Sequence, residues 1–198
     1  MDQIENKLGN TVGSLRQTTD DPVTTEAMSR NSIGKPSYYT PTSSLKSSRN
    51  MPEYISGYVD GEGCFTVTFN AKAKALLGWE LRPSFSVSQN EDRRQVLDII
   101  REYFGCGYIR RDFSDKTVKF EVRDHHDLVE KVIPHFQRFP LLSFKQRDFE
   151  LFKLICKKID QELHLTRQGF MEILDIAYKM NGSGKRRRTK EDIKKLLK

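Results

Sequence analysis

The sequence predicts an α+β fold in which helices and pairs of strands follow one another in the order αββαββα, with extra helices at the C-terminal end. Two observations predict it. Four segments alternate apolar and polar residues with period two, the pattern of strands that are buried on one face. The segments between and after them carry apolar residues at helical spacing. We therefore expect two hairpins that form one four-stranded antiparallel sheet backed by helices.

The first helix leads directly into the first hairpin. Asn50, followed by Pro52 and Glu53, resembles a helix N-cap with a capping box, so this helix should begin there and end within residues 61–63. Two alternating segments follow, joined by a loop at 72–78. Their inward apolar residues are expected to be Phe65, Val67, Phe69, Leu81, Phe85 and Val87.

The second half of the sheet repeats this order. Asn90 is expected to cap a second helix, and Gly105 is expected to end it, because glycine adopts the left-handed conformation that stops helices. Strands are predicted at 107–112 and 117–123. In the last strand the inward residues are expected to be Val118, Phe120 and Val122.

Helices dominate the remaining chain. Asp124 is predicted to cap one helix, and Ser143 with Gln146 forms the pattern of a capping box that opens a longer one. A third amphipathic helix is predicted over 166–180, and a short helix capped by Thr189 follows. No internal repeat is visible.

Three regions of different composition divide the chain. Residues 1–50 are rich in Ser, Thr, Asn and Pro, so a disordered leader is predicted. Residues 51–181 form one domain, and 182–198 a basic tail. The net charge is +7, and residues 185–198 hold eight Lys and Arg against two Asp and Glu. A basic excess suits a polyanionic partner without identifying one.

Several classes of protein are disfavoured by the composition. The three cysteines are far apart and lack CxxC spacing, which argues against a disulfide framework or a zinc site. The four histidines lack the spacing of zinc fingers or His-Asn-His nucleases. No segment resembles a signal peptide or approaches transmembrane length. We expect an intracellular protein that binds no membrane, with bacterial cytoplasm and organelle both left open.

One glycine-rich acidic run carries the strongest functional signal. Ile55-Ser56-Gly57-Tyr58-Val59-Asp60-Gly61-Glu62-Gly63 resembles the nine-residue LAGLIDADG motif of homing endonucleases. The glycines and both acidic positions fit, and the predicted order of helices and hairpins fits over about residues 51–181. Two departures stand out: Ile55-Ser56 replaces Leu-Ala, and Glu62 replaces the second Asp.

With only one motif in the chain, the resemblance implies the homodimeric type of this family. Gly57 and Gly61 are four residues apart on one helical face, so two such helices could pack with their backbones close together. The dimer interface is then expected to contain Ser56, Gly57, Asp60 and Gly61. Two-fold symmetry would make the target a pseudo-palindromic double-stranded DNA.

The resemblance also implies a metal-dependent active site. Glu62, near its symmetry mate, would present paired carboxylates that suit Mg²⁺ or Mn²⁺, with Gly61 as a second metal ligand. By position, Gln89 would hold water or metal and Arg93 would add positive charge. Lys145 would stand in the catalytic pocket at the start of a helix, where only a nearby negative group such as a DNA phosphate would favour it.

The polar rows of both hairpins are expected to form one outer face that lies in the DNA major groove. Its composition suits contacts with base edges. The basic tail is expected to contact phosphates beyond it. The DNA-binding residues predicted in this way are Thr66, Thr68, Asn70, Lys72, Lys74, Glu80, Arg82, Ser84, Ser86, Arg110, Asp112, Thr117, Lys119, Glu121, Lys185, Arg186, Arg187 and Arg188.

The resemblance therefore implies a site-specific, intron-encoded DNA endonuclease, and two alternatives remain open on the same fold. One is an RNA maturase that binds intron RNA and assists splicing. The other is a DNA-binding regulator that does not cleave. A separate helix-turn-helix binder in the C-terminal region is disfavoured because the helix after Thr189 is short. The target sequence and the host gene stay open.

Overall fold

A computed structural model describes residues 50–113, 117–182, 184 and 186–197, all within one compact unit. The predicted leader, apart from Asn50, and the predicted DNA contact Lys185 lie outside these residues. The main elements are α1 (Met51–Glu62), β1 (Gly63–Ala71), β2 (Trp79–Asn90), α2 (Gln95–Phe104), β3 (Tyr108–Asp112), β4 (Thr117–Val122), α3 (His125–Asp127, continued by a π-helical turn Leu128–Val132 and by Ile133–Arg138), α4 (Lys145–Asp160), α5 (Arg167–Ala177) and α6 (Lys190–Lys195).

The predicted sheet is confirmed. Its four strands are antiparallel and lie in the order β1-β2-β4-β3, so the long hairpin strand β2 and the last strand β4 form the centre. Phe65 lies opposite Phe85, and Phe85 lies opposite Val122. The inward rows predicted from alternation therefore meet on one side of the sheet.

A cluster of phenylalanines fills the space between the sheet and the helices. The ring centroid of Phe65 lies 5.2 Å from that of Phe85 and 5.4 Å from those of Phe136, Phe149 and Phe152. All five side chains are fully buried. Aromatic rings at these separations attract one another beyond the effect of burial, so they fix α3 and α4 against the sheet.

The predicted helix caps fare unequally. Asp124 accepts from the Asp127 N–H, as predicted. Thr189 also caps its helix as predicted, and in addition forms a full capping box with Asp192. Asn50 and Asn90 form no side-chain cap, and a 3₁₀ turn at Glu91–Arg93 separates Asn90 from α2. Gly105 ends α2 at φ 58°, as predicted.

Part of the predicted basic tail packs onto the domain. Ile193 and Leu197 join Trp79, Phe170 and Leu174 in a second buried cluster. Asn181 donates from Nδ2 to the Phe65 carbonyl on the outer edge of β1. This bond covers part of an edge that would otherwise present unpaired backbone groups. Within the described ranges, no helix has the length and apolar character that crossing a membrane requires.

Candidate active site and nucleic-acid interface

The helix α1 carries the glycine-rich motif and has two unlike faces. Ile55, Ser56 and Val59 are buried against the domain. Ser56 donates from Oγ to the Phe139 carbonyl at 2.7 Å and lies 3.2 Å from Nε2 of His135. The Ser56 hydroxyl is therefore used within the protomer, and Ser56 also lines a groove beside Gly57, so its predicted place at a dimer interface stays a prediction.

The opposite face of α1 is open. Gly57 and Gly61 are exposed, and a Cβ added at either would meet no atom within 4 Å. A groove of about 320 Å³ runs beside Gly57 towards Pro140 and Leu142, and the Leu142 side chain is 96% exposed. Helices lose stability when they carry glycine without a packing partner. This face of α1 therefore has room for a packing partner that the protomer does not supply.

Asp60 ties α1 to the loop before α4. Its carboxylate accepts the N–H groups of Leu142 and Ser143, each at 2.9 Å, and the Ser143 hydroxyl. Although slight burial opposes it, these hydrogen bonds hold the pKa of Asp60 below its ordinary value. Asp60 was predicted at the dimer interface, but its hydrogen bonds are made within its own chain. The capping box predicted for Ser143 is absent because Asp60 takes its N–H.

Lys145 ties the same two elements in the reverse direction. Its Nζ donates to the carbonyls of Val59 at 2.9 Å and Gly61 at 3.3 Å, the last turn of α1. The negative group that favours Lys145 is therefore the C-terminal end of α1, where helix carbonyls carry partial negative charge. A DNA phosphate is not required for this, contrary to the prediction. The Gly61 carbonyl, predicted as a metal ligand, already accepts this bond.

Glu62 is the last residue of α1, and its side chain is exposed beside the open face. In the described part of the chain, no three or more His, Cys, Asp or Glu residues come together as a possible metal site. The oxygen donors of Glu62 and Gly61 suit a hard divalent cation, but two donors fall short of its coordination number. A cation here would need further oxygens from outside the protomer.

Gln89 lies at the end of β2, next to the same end of α1. Its Nε2 donates to the Tyr58 hydroxyl at 2.5 Å, and its Oε1 accepts from the Asn90 N–H at 2.8 Å. Burial and the Glu62 carboxylate raise the pKa of Tyr58, whereas Arg93 acts in the opposite sense. Gln89 thus bonds directly to Tyr58, a residue that the sequence did not single out.

The outward face of the sheet is continuous, as predicted. Cross-strand pairs place Thr66 beside Ser84, with their hydroxyls 2.9 Å apart, and Lys119 beside Arg110. Ser84 and Ser86 are covered by their neighbours, with 8% and 9% exposure, so these two predicted DNA contacts are poorly accessible. The other outward residues described are Thr68, Asn70, Glu80, Arg82, Asp112, Thr117 and Glu121, with Lys72 and Lys74 in the loop.

Ion pairs organise much of this face. Glu80 accepts from Lys72 at 2.5 Å and from Arg82 at 2.7 Å. Glu121 is 5% exposed and pairs with Arg110 and Arg123, each at 3.0 Å. Burial opposes it, yet these arginines and the Tyr108 hydroxyl lower the pKa of Glu121. Glu121, a predicted base contact, is engaged by its own strands.

The described arginines of the basic segment differ in what they contact. Arg186 donates to the carbonyls of Ala177 and Met180 and stacks 4.4 Å from the Tyr178 ring. Arg188 lies over Trp79 at 5.4 Å. Arg187 is exposed and lines, with the other two, a cleft of about 760 Å³ along Thr66, Thr68 and Asn70 of β1. The cleft runs along β1, an edge strand of the sheet.

Comparisons with known proteins agree with this geometry. The family model described as "LAGLIDADG endonuclease" matches residues 55–156. A Neurospora crassa protein named "Probable intron-encoded endonuclease 2" is 34% identical over 131 residues, covering 66% of this chain and 29% of that protein. The chain spans 29%, 25% and 26% of the length of three such curated relatives.

Two solved structures share the fold. The homing endonuclease I-TnaI is 32% identical, with a TM-score of 0.65, and the match covers 73% of this chain and 94% of that one. The I-LtrWI LAGLIDADG homing endonuclease, solved bound to its target DNA, is 34% identical with a TM-score of 0.68. That match covers 72% of this chain but 48% of the other.

Proposed function

Because this chain belongs to the LAGLIDADG endonuclease family, we propose that it is a site-specific homing endonuclease that hydrolyses phosphodiester bonds in both strands of DNA. The observation that carries the proposal is the exposed carboxylate of Glu62 at the end of a helix face made open by Gly57 and Gly61. A carboxylate in that place, with Lys145 and Gln89 fixed beside it, is suited to chemistry on a phosphate.

A homodimer is part of the proposal. The chain matches nearly all of I-TnaI but half of I-LtrWI, as expected for a unit that must be present twice. Close packing of two α1 helices through Gly57 and Gly61 would bring two Glu62 carboxylates to the symmetry axis. The target would then be pseudo-palindromic, since each protomer presents the same sheet to one half of the DNA site.

The proposed cofactor is Mg²⁺ or Mn²⁺. Both ions prefer oxygen ligands, and Glu62 offers its carboxylate. The Gly61 carbonyl can be a second ligand because Lys145 uses only one of its two lone pairs. When bound, such an ion supplies charge neutralisation at the phosphate and a water of lowered pKa. Lys145 and Arg93 add positive charge beside the phosphate, and Gln89 orients water through its amide.

The outward face of the sheet is proposed to lie in the major groove. Thr68, Asn70 and Arg82 are its exposed members on β1 and β2 and can bond base edges there. Lys72 and Lys74 in the loop and Arg187 beside the β1 cleft are proposed to contact phosphates. The ion pairs of Glu80 and Glu121 would orient their arginines before DNA arrives.

The test is cleavage of a library of double-stranded DNA targets with Mg²⁺, comparing the wild type with Glu62→Gln. We expect one preferred pseudo-palindromic site, and a rate at least about 1,000-fold lower for the variant with its DNA affinity retained. Glu130→Gln changes an exposed carboxylate on α3, outside α1, and should cleave normally. A wild type that binds DNA or intron RNA but cuts no target would reject the nuclease in favour of a regulator or a maturase.

A further inference from the structure

Tyr58 lies one helical turn before Glu62 on α1 and is half-buried. Residues four apart on a helix lie on the same side, so Tyr58 and Glu62 share one side of α1. Its oxygen accepts the Gln89 Nε2–H, while the Asn90 N–H holds Gln89 Oε1. The amide of Gln89 is therefore held at both ends.

An amide side chain needs such restraint to act in a defined way. The two ends of a glutamine amide have opposite hydrogen-bonding character, one donating and one accepting, and a free amide can rotate to exchange them. With both ends held, one N–H of Nε2 and one lone pair of Oε1 keep a fixed orientation for a ligand. The name of the motif has leucine at the position of Tyr58, and leucine cannot accept this bond.

We propose that Tyr58 is a positioning residue whose phenol oxygen fixes the amide of Gln89 for the cleavage step. The inference rests on the proposed nuclease function and extends it to Tyr58. Without the phenol oxygen, Gln89 would regain rotamer freedom and would have to lose it again in the transition state. The effect should fall on the rate of cleavage and not on DNA affinity.

A double-mutant cycle of Tyr58→Phe and Gln89→Ala tests this in single-turnover cleavage of the preferred target. Tyr58→Phe should slow cleavage by about tenfold, the worth of one hydrogen bond, with DNA affinity within about twofold. In the Gln89→Ala background the same substitution should change nothing. Tyr54→Phe, one turn earlier on the helix, is the matched control and should cleave at the wild-type rate.

Two outcomes of the cycle overturn the proposal: Tyr58→Phe cleaves like the wild type, or its effect multiplies that of Gln89→Ala. The side-chain amide signals of Gln89 in NMR spectra, identified by their loss in Gln89→Ala, test the contact without cleavage. We expect them to be shifted in the wild type and in Tyr54→Phe, and to move to the position of a free glutamine in Tyr58→Phe. If no target is cut, the nuclease fails by itself, and unchanged signals in Tyr58→Phe still reject the contact.

Discussion

The two faces of α1 obey opposite rules although they belong to one 12-residue helix. On the inner face, Ile55 and Val59 are fully buried and Ser56 bonds the Phe139 carbonyl. On the outer face, Gly57 and Gly61 have no neighbour within 4 Å of an added Cβ. The inner face makes its contacts within one chain. The outer face is open, and its glycines lower the stability of the helix.

This difference teaches where the proposed function has to be completed. The inner face needs nothing from another molecule, so it can fix Lys145 and Asp60 before any partner binds. The outer face has no packing partner within the protomer, and Glu62 at its end offers too few oxygen ligands to hold a metal ion without further ligands. Substitutions on the inner face should therefore act on folding, and substitutions on the outer face on assembly and cleavage.

The largest effect is expected from Gly57→Leu on the outer face. The leucine side chain has free space in the protomer, but in the proposed dimer it would overpack the close helix pair in both copies and weaken association by about 1,000-fold. Sedimentation equilibrium should show a folded monomer, and cleavage should be lost. Gly57→Ala should raise protomer stability by about 0.5–1 kcal/mol. A Gly57→Leu protein that stays dimeric and active would remove the basis for distinguishing the two faces.

Against the inner face of α1, His135 of α3 should make folding depend on pH. Burial lowers the pKa of His135 from 6.5 to about 4, and its side chain bonds Ser56 and Tyr103. Between these values the unfolded chain binds the proton and the folded chain does not, so stability falls as pH drops from 6.5 to about 4, by about 3 kcal/mol. The free energy of unfolding, measured with urea at several pH values in this range, should depend more steeply on pH in the wild type than in His135→Gln. Parallel profiles would contradict the assignment.

A smaller loss is expected for Asp60→Asn, which weakens the tie between α1 and the loop before α4. An amide oxygen accepts less strongly than a carboxylate, so unfolding free energy should fall by about 1–2 kcal/mol. Because the pKa of Asp60 is lowered in the fold, that stability should also be lost as acid protonates the carboxylate. Asp92→Asn, an exposed change, is the control. Thermal unfolding that shifts equally in both variants would contradict this role.

The smallest effect should come from the basic segment, where the same contrast recurs between Arg186, which bonds internal carbonyls, and the exposed Arg187. Arg187→Ala should lower the slope of log affinity against log salt by about 1 per protomer, with stability unchanged. Arg186→Ala should instead reduce the melting temperature. Titrations of DNA binding at several salt concentrations decide it, and equal slopes for wild type and Arg187→Ala would exclude a phosphate contact there.

Sequence alone predicted the strands and their faces because alternation records which side each residue buries. Phe65, Phe85 and Phe120 are all inward, as their periodicity required. The glycine-rich run was located because glycine and acid at fixed spacing form a local pattern. These features depend on neighbours in the sequence, so the sequence contains them.

The errors share a physical origin in contacts between distant residues. Ser143 was predicted to form a capping box with Gln146, but Asp60, 83 residues away, takes the Ser143 N–H that the Gln146 side chain would have accepted. The bond from the Ser56 hydroxyl to the Phe139 carbonyl, also 83 residues away, was missed for the same reason. Lys145 was expected to have a phosphate as its negative neighbour, but the carbonyls at the end of α1, more than 80 residues away, accept its hydrogen bonds. Tyr58 was missed because its significance depends on Gln89, which only the fold brings near.

The second buried cluster gives the molecule an internal optical reporter. Trp79 is the sole tryptophan of the chain, and it packs between Phe170, Ile193 and Leu197 with Arg188 over its ring. Its emission will therefore follow the attachment of the last helix and the basic segment, separately from the phenylalanine core. Because Trp79 also begins the longest strand of the sheet, the same signal can be followed during DNA titration without any added dye.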